Sequence, residues 1–219
     1  MISIVIPAYE MGGKGLYYLD RAIKSINHWG VDYEIVIALD HGFMPDFIKE
    51  GYDFMLIENI TVVRNQRKQG AAGNLNTALD IAKGDIIKVL FQDDTLTAWL
   101  QNFANINHWS FCTSKHNTNR GDHVPYHPPS LKELALGCNT YGSPSAMAFR
   151  RTDLRFDENL QWLFDVDFYV RMTQRYGLPD LLPTFVNITE WEGMATNTVC
   201  TGDIRVREAN YMKQKYANL

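Results

Sequence analysis

Cysteine is scarce in this 219-residue chain, with only Cys112, Cys138 and Cys200. An odd number at wide spacing matches neither a zinc-ligand pattern nor a disulfide framework, which points to a reducing compartment. Long apolar runs are also missing. No stretch approaches transmembrane length, and no basic segment followed by an apolar one opens the chain, so a cytoplasmic protein is expected. Neither sign of charge dominates. A net charge of -4 argues against a non-specific nucleic-acid binder, which needs a basic surface. Gly12-Gly13-Lys14-Gly15 lacks the Ser or Thr after lysine that a phosphate-binding P-loop requires. His108, His116, His123 and His127 are separated by eight, seven and four residues, which fits no tight metal-ligand motif. Repeats, linkers and low-complexity tracts are absent, and Asn187-Ile188-Thr189 is read as a chance sequon.

What is present is an ordinary globular composition, 46% apolar and 21% charged, long enough to bury a substantial core. Strand and helix patterns alternate. Ile2 to Ile6 reads as a strand, then a glycine-rich loop, then Leu16, Leu19, Ala22, Ile23 and Ile26 at helical spacing. Glu34 to Leu39 and Ile60 to Val63 are further strands. Leu75, Ala78, Leu79 and Ala82 mark a second helix, with Gly84 expected as its left-handed cap. Such alternation implies a parallel sheet with right-handed crossovers.

The next strand is the most informative. Gly84-Asp85-Ile86-Ile87-Lys88-Val89-Leu90-Phe91-Gln92-Asp93-Asp94 is a buried run with one internal charge that stops at two adjacent carboxylates. Carboxylates there are costly to crowd together and suited to a hard divalent cation. Four successive strands end in Pro7-Ala8-Tyr9-Glu10, Asp40, Arg64-Asn65 and Asp93-Asp94. In an open α/β sheet those ends share one edge, where ligands bind. Polar turns are also common at strand ends, but four together favour a cleft.

Beyond Leu96 the chain becomes polar, and residues 105 to 143 read as a long loop or flap. Ser145 to Phe149 is a short strand, Phe164 to Tyr176 a helix stopped by Gly177, and Leu181 to Val186 a strand. Ile204 to Tyr216 is a terminal helix rich in Lys and Arg.

These residues resemble a family 2 type glycosyltransferase of the GT-A fold over most of the chain, from Ile2 to about Gly193. The resemblance rests on Ile4-Val5-Ile6-Pro7-Ala8-Tyr9-Glu10, the second strand with its acidic turn, and Gly70-Ala71-Ala72-Gly73-Asn74-Leu75-Asn76. It continues through Leu90-Phe91-Gln92-Asp93-Asp94 at the place of a DxD-type metal motif, then Gly142-Ser143-Pro144-Ser145. Phe156-Asp157-Glu158-Asn159-Leu160 and Phe164-Asp165-Val166-Asp167 complete it on the acceptor side. It implies an α/β, Rossmann-like, mostly parallel sheet flanked by helices. One domain would hold a nucleotide-sugar half (1–95) and an acceptor half (96–219). The chain departs from the pattern at Leu39, at Phe91 in place of the first metal-motif Asp, and at Phe164. No histidine follows His127, so a downstream histidine ligand is missing.

The implied reaction moves a sugar from a nucleotide-diphosphate donor to a hydroxyl of a saccharide or lipid-linked saccharide acceptor, with inversion. Asp165 would be the general base, its basicity raised by Trp162, Leu163 and Phe164; an N-cap role for Asp165 is the competing reading. Asp167 is the weaker candidate because it faces another side of the helix. Asp93 would hold Mn²⁺ or Mg²⁺ with phosphate oxygens, while Asp94 would sit behind it or cap the segment Thr95 to Phe103. Pro7, Tyr9, Glu10, Asp40, Arg64, Gly70, Asn76, Gln92 and Asp93 would line the nucleotide site. The basic terminal helix (Arg205, Arg207, Lys213, Lys215) leaves peripheral membrane contact open. Two other classes also stay open, a nucleotide-sugar-binding module without transferase activity and a nucleotidyltransferase.

Overall fold

The computed structural model describes residues 1–47, 49–52, 58–198 and 200–219. Its strands are β1 (Ile2–Ala8), β2 (Tyr33–Leu39), β3 (Ile60–Arg64), β4 (Ile86–Val89), β5 (Trp109–His116), β6 (Met147–Arg150) and β7 (Asp180–Ile188). The helices are α1 (Gly15–Lys24), α2 (Ala71–Ile81), α3 (Leu131–Ala135), α4 (Phe164–Tyr176), α5 (Ala195–Thr198) and α6 (Gly202–Lys215). One sheet of seven strands joins them in the order β3-β2-β1-β4-β6-β5-β7. Strands β1 to β4 run parallel, β6 runs against both β4 and β5, and β5 is parallel to β7.

Burial explains the apolar runs. Every residue of β1 and β4 is buried, whereas β3 at the sheet edge is only partly covered, as expected for central and edge strands. Helix α2 lies against β1 and β2, and α1 buries Leu16, Leu19, Ala22 and Ile23. Lys88 is the apparent exception in β4. It is fully buried, and its ammonium donates to the carbonyl oxygens of Val89 at 2.7 Å and of Ser145. Burial lowers its pKa to about 8.

Three expectations are corrected. Gly84 is not a left-handed cap: α2 ends at Ala82 in an extended conformation, and Gly84 is not among the glycines with positive φ. Glycine is needed because a Cβ there would lie 2.6 Å from the Ser3 backbone nitrogen. Residues 105 to 143 are not one loop, since they contain β5 and α3. The polar β5 residues misled because they pair between β6 and β7 in the sheet interior, with Ser110 and Ser114 buried. Thr95 to Phe103 forms only a single 3-10 turn at Leu100–Phe103. Thr95 instead bridges to Asn187 of β7. Gly177 does end α4, and the terminal helix lies where expected.

Candidate active site

The register brings the parallel strands to one edge. Ala8 is level with Leu39, and Leu39 with Arg64, while Leu90 donates its N–H to Val5 O at 3.0 Å. All four predicted strand-end groups therefore lie along that edge, but most of their polar atoms are engaged within the protein.

Gln92 is the clearest case. It is buried, donates to the carbonyls of Tyr9 and Gly15 at 3.0 Å each, and accepts the Tyr9 N–H. It shapes the turn after β1 that follows Pro7, and leaves Tyr9 39% exposed above the edge with Glu10 beside it in solvent. Burial and the nearby Asp93 carboxylate push the Tyr9 phenol up to about 12. Asp40 accepts from Asn65 Nδ2 at 2.8 Å and from the Gly70 N–H at 3.0 Å, tying β2 to the loop before α2. Gly73 allows that loop to close, because a Cβ there would sit 2.0 Å from Lys68 O. Asn76 turns away from the edge: it exchanges hydrogen bonds with the backbone of Phe156 and donates to Glu158 Oε1 at 2.9 Å. Arg64 is exposed beside an apolar groove formed by Leu39, Met44, Phe47 and Val62.

Asp93 and Asp94 diverge. Asp94 is buried and its Oδ1 accepts the Thr189 N–H at 2.9 Å, linking the end of β4 to the end of β7. Burial first, then Asp93 next door, raises its pKa to about 8. It neither caps a helix nor faces the cleft. Asp93 accepts the indole N–H of Trp191 at Oδ2, 3.1 Å away. Burial raises its pKa, opposed by that indole and by the Arg21 guanidinium. Arg21 donates to Asp93 O and to Thr189 Oγ1 and lies 5.2 Å from the Tyr18 ring. Trp191 packs on Tyr18 at 5.7 Å, and the Lys14 ammonium is 5.7 Å from the indole.

This donor set holds no preformed metal centre, and no group of three metal-binding side chains occurs among the described residues. One partly buried carboxylate at the end of β4 still suits an ion that arrives with phosphate oxygens and keeps its waters. The residues therefore fit a nucleotide-borne Mn²⁺ or Mg²⁺ at Asp93, and nothing stronger.

Asp165 sits in the first turn of α4, whose N-cap position is Leu163, so it is not the cap. Its Oδ1 accepts the Val166 N–H at 2.8 Å, and among the described residues its Oδ2 has only a long contact of 3.5 Å from Asn139 Nδ2. Burial raises its pKa to about 7, against the backbone N–H bonds, and the nearby Glu208 carboxylate adds to the rise. Asn139 is itself fixed, accepting the N–H groups of Tyr141 and Gly142 and donating to Gly142 O. Asp167, two residues on, is completely buried and fully paired: Arg171 at 2.6 Å, Lys215 at 2.7 Å and Tyr216 Oη at 2.7 Å. The Phe91 ring, where the metal motif would carry its first Asp, lies 6.5 Å from the ring of Phe164 next to Asp165.

Residues 3–106 match the family model "Glycosyl transferase family 2". That segment belongs to glycosyl transferase family 2. An uncharacterised protein of Mycobacterium tuberculosis is 26% identical over 215 residues, covering 80% of this chain and 62% of its own length. An uncharacterised glycosyltransferase of Haemophilus influenzae is 28% identical over 94 residues, covering 43% of this chain and 30% of its own. The chain thus spans less than two thirds of these relatives. Among solved structures, S. aureus TarS 1–349 in complex with UDP superposes with a TM-score of 0.62 at 16% identity, covering 99% of this chain and 70% of that one. A mannosyltransferase from Pyrobaculum calidifontis in complex with GDP-Man and Mn²⁺ gives 0.55 at 16% identity, covering 85% and 56%. These likenesses establish the GT-A fold.

Sequence reasoning missed Arg21, Trp191, Asn139 and Thr189. Trp191 carried a faint signal, as an aromatic residue just past the last strand. Arg21 carried less, being one of two basic residues in the last turn of an amphipathic helix. Among the described residues no helix is long and apolar enough to cross a membrane. Three of the four basic residues named on the terminal helix are held within the chain: Lys215 on Asp157, Arg207 on Glu208, and Arg205 on Cys200 O.

Proposed function

We propose that the chain is an inverting glycosyltransferase that moves a sugar from a nucleotide-diphosphate sugar to an acceptor hydroxyl, with Asp165 as general base. The observation that carries this is the state of Asp165, a carboxyl without a cationic partner among the described residues, whose pKa is raised to about 7 by burial. A base is most effective when its pKa lies near the working pH. The acceptor oxygen forms a bond to the anomeric carbon while its proton passes to Asp165. The bond from that carbon to the diphosphate breaks, and the nucleoside diphosphate leaves with the electron pair. Attack opposite the leaving group inverts the anomeric centre.

The donor would lie along the strand edge of the 1–95 half. Tyr9 offers a ring face for the nucleobase, and Glu10 and Asp40 accept from base or ribose. Arg64 and the backbone at Gly70 border the same edge, while Pro7, Gln92 and Asn76 hold the frame. When bound, Mn²⁺ or Mg²⁺ at Asp93 would supply positive charge to the departing diphosphate. Arg21 adds positive charge near Asp93, and Lys14 lies over the Trp191 ring that bonds it. The acceptor would bind on the 96–219 side, and a saccharide is the expected class. A lipid-linked one is compatible, although α6 presents little unpaired basic charge for peripheral membrane contact. A cytoplasmic setting suits the free thiols.

One observation favours a second reading, a nucleotide-sugar-binding module. The Trp191 indole already holds one Asp93 oxygen. The two separate in an assay with UDP-GlcNAc and GDP-mannose, Mn²⁺ and a panel of simple saccharides. Transfer predicts nucleoside diphosphate release and a product of inverted anomeric configuration by NMR. Tight UDP or GDP binding without release from either donor, with or without acceptor, favours the binding module.

A further inference from the structure

Among the buried carboxylates that the mechanism above leaves unused, Glu208 lies beside the base. Glu208, in the middle of α6, is 1% exposed. It accepts the N–H groups of three successive residues: Gln161 at 2.7 Å, Trp162 at 2.8 Å and Leu163 at 3.0 Å. Leu163 is the N-cap position of α4, and no side chain caps that helix. Helix amino ends leave backbone N–H groups that need acceptors, and here a carboxylate from another helix anchors the backbone leading into that end. Three charge-assisted bonds to consecutive N–H groups fix a backbone more firmly than one side-chain cap.

The rest of α6 grips the same region. Tyr211 Oη donates to Asp157 at 2.7 Å, Lys215 reaches Asp157 at 2.6 Å and Asp167 at 2.7 Å, and Tyr216 Oη donates to Asp167 at 2.7 Å. These contacts bracket 157–167, the stretch that ends two residues after Asp165. A buried glutamate costs free energy unless its bonds return it, and here the N–H groups of three consecutive residues return it.

We infer that Glu208 is a positioning residue for Asp165: its carboxylate fixes the 161–163 backbone that delivers the base and sets a negative charge beside it. The inference rests on the reading of Asp165 as base. The groups facing Asp165 are Asn139 before β6, Tyr169 on its own helix, Cys200 before α6, and Glu208. Arg207 pairs with Glu208 at 3.3 Å from the outer side, and Arg205 lies over the Trp162 ring. Among these groups Glu208 is the one carboxylate, and it acts electrostatically on Asp165.

Two variants separate position from charge. Glu208→Gln keeps an acceptor oxygen and removes the charge. Glu208→Asp keeps the charge and withdraws it by one methylene. Donor turnover is measured against pH for each, with thermal melting to confirm folding. For Glu208→Gln the acidic limb of kcat should move to lower pH by about half a unit, since a neighbouring negative charge disfavours the ionised base. For both variants kcat should fall roughly tenfold with donor KM nearly unchanged, because a displaced base loses alignment. For Glu208→Asp the limb should stay in place. Tyr211→Phe, which removes a bond from the same helix, should leave the limb where it is. A Glu208→Gln limb that superposes on the wild-type one overturns the inference, as does full kcat in both variants. Wild-type turnover by Asp165→Asn would instead overturn the base reading, so the two failures are distinguishable.

Discussion

The strand-end edge and the amino end of α4 both carry carboxylates, yet they use them in opposite ways. At the edge, Asp40 and Asp94 are tied into backbone N–H groups, and Gln92 and Asn76 staple neighbouring segments. At the helix, Asp165 has a local backbone bond and one long contact, while Asp167 on the same helix is saturated by Arg171, Lys215 and Tyr216. A polar residue in a cleft is therefore a poor guide to chemistry until its partners are counted. The group left short of partners is the one free to exchange a proton.

The comparison is broken most directly at α4. Asp165→Asn should lower kcat by about 10² to 10⁴, the usual contribution of a general base, with donor binding retained. Equal loss of donor affinity would place Asp165 in the donor site instead. Asp167→Asn should act the other way, destabilising the fold by about 2–4 kcal/mol in chemical denaturation, since Arg171 loses its carboxylate and Lys215 keeps only Asp157. Asp93→Ala comes next. It should cut turnover by roughly tenfold to a hundredfold and abolish stimulation by Mn²⁺, whereas chelation of the wild type should bring it close to that variant. Retained Mn²⁺ stimulation in Asp93→Ala would move the ion elsewhere.

A smaller effect sharpens the contrast in stability. The Asp165 pKa is raised from 3.8 to about 7. The stability favouring its neutral form is complete below about 4 and is lost as pH rises through about 7. Asp165→Asn keeps a neutral side chain at every pH, so its Tm should exceed that of the wild type by about a few degrees at pH 8 and match it at pH 4. A variant less stable at pH 8 would show that the carboxylate is structurally paired.

How much was legible follows from the same contrast. The alternation of β1 to β4 with α1 and α2 showed in the apolar periodicity, because β1, β2 and β4 are covered on both faces and α1 buries one. Strand β5 did not, since its buried serines look like loop residues until β6 and β7 flank them. Asp93 and Asp165 stood out through their place in motifs. Gln92 and Asn76 stood in the same motifs, but their amides are bonded to backbone atoms of neighbouring segments, which no local pattern shows. Trp191 and Glu208 act across 98 and 45 to 47 residues of sequence separation, and no local pattern carries such a pairing.

The most direct test of the central claim is the pH dependence of kcat for the wild type at saturating donor and acceptor. With Asp165 as the base, kcat should rise through an apparent pKa of about 7, and the residual rate of Asp165→Asn should lack that limb. A wild-type limb near 4, or a limb near 7 that survives in Asp165→Asn, would contradict the account.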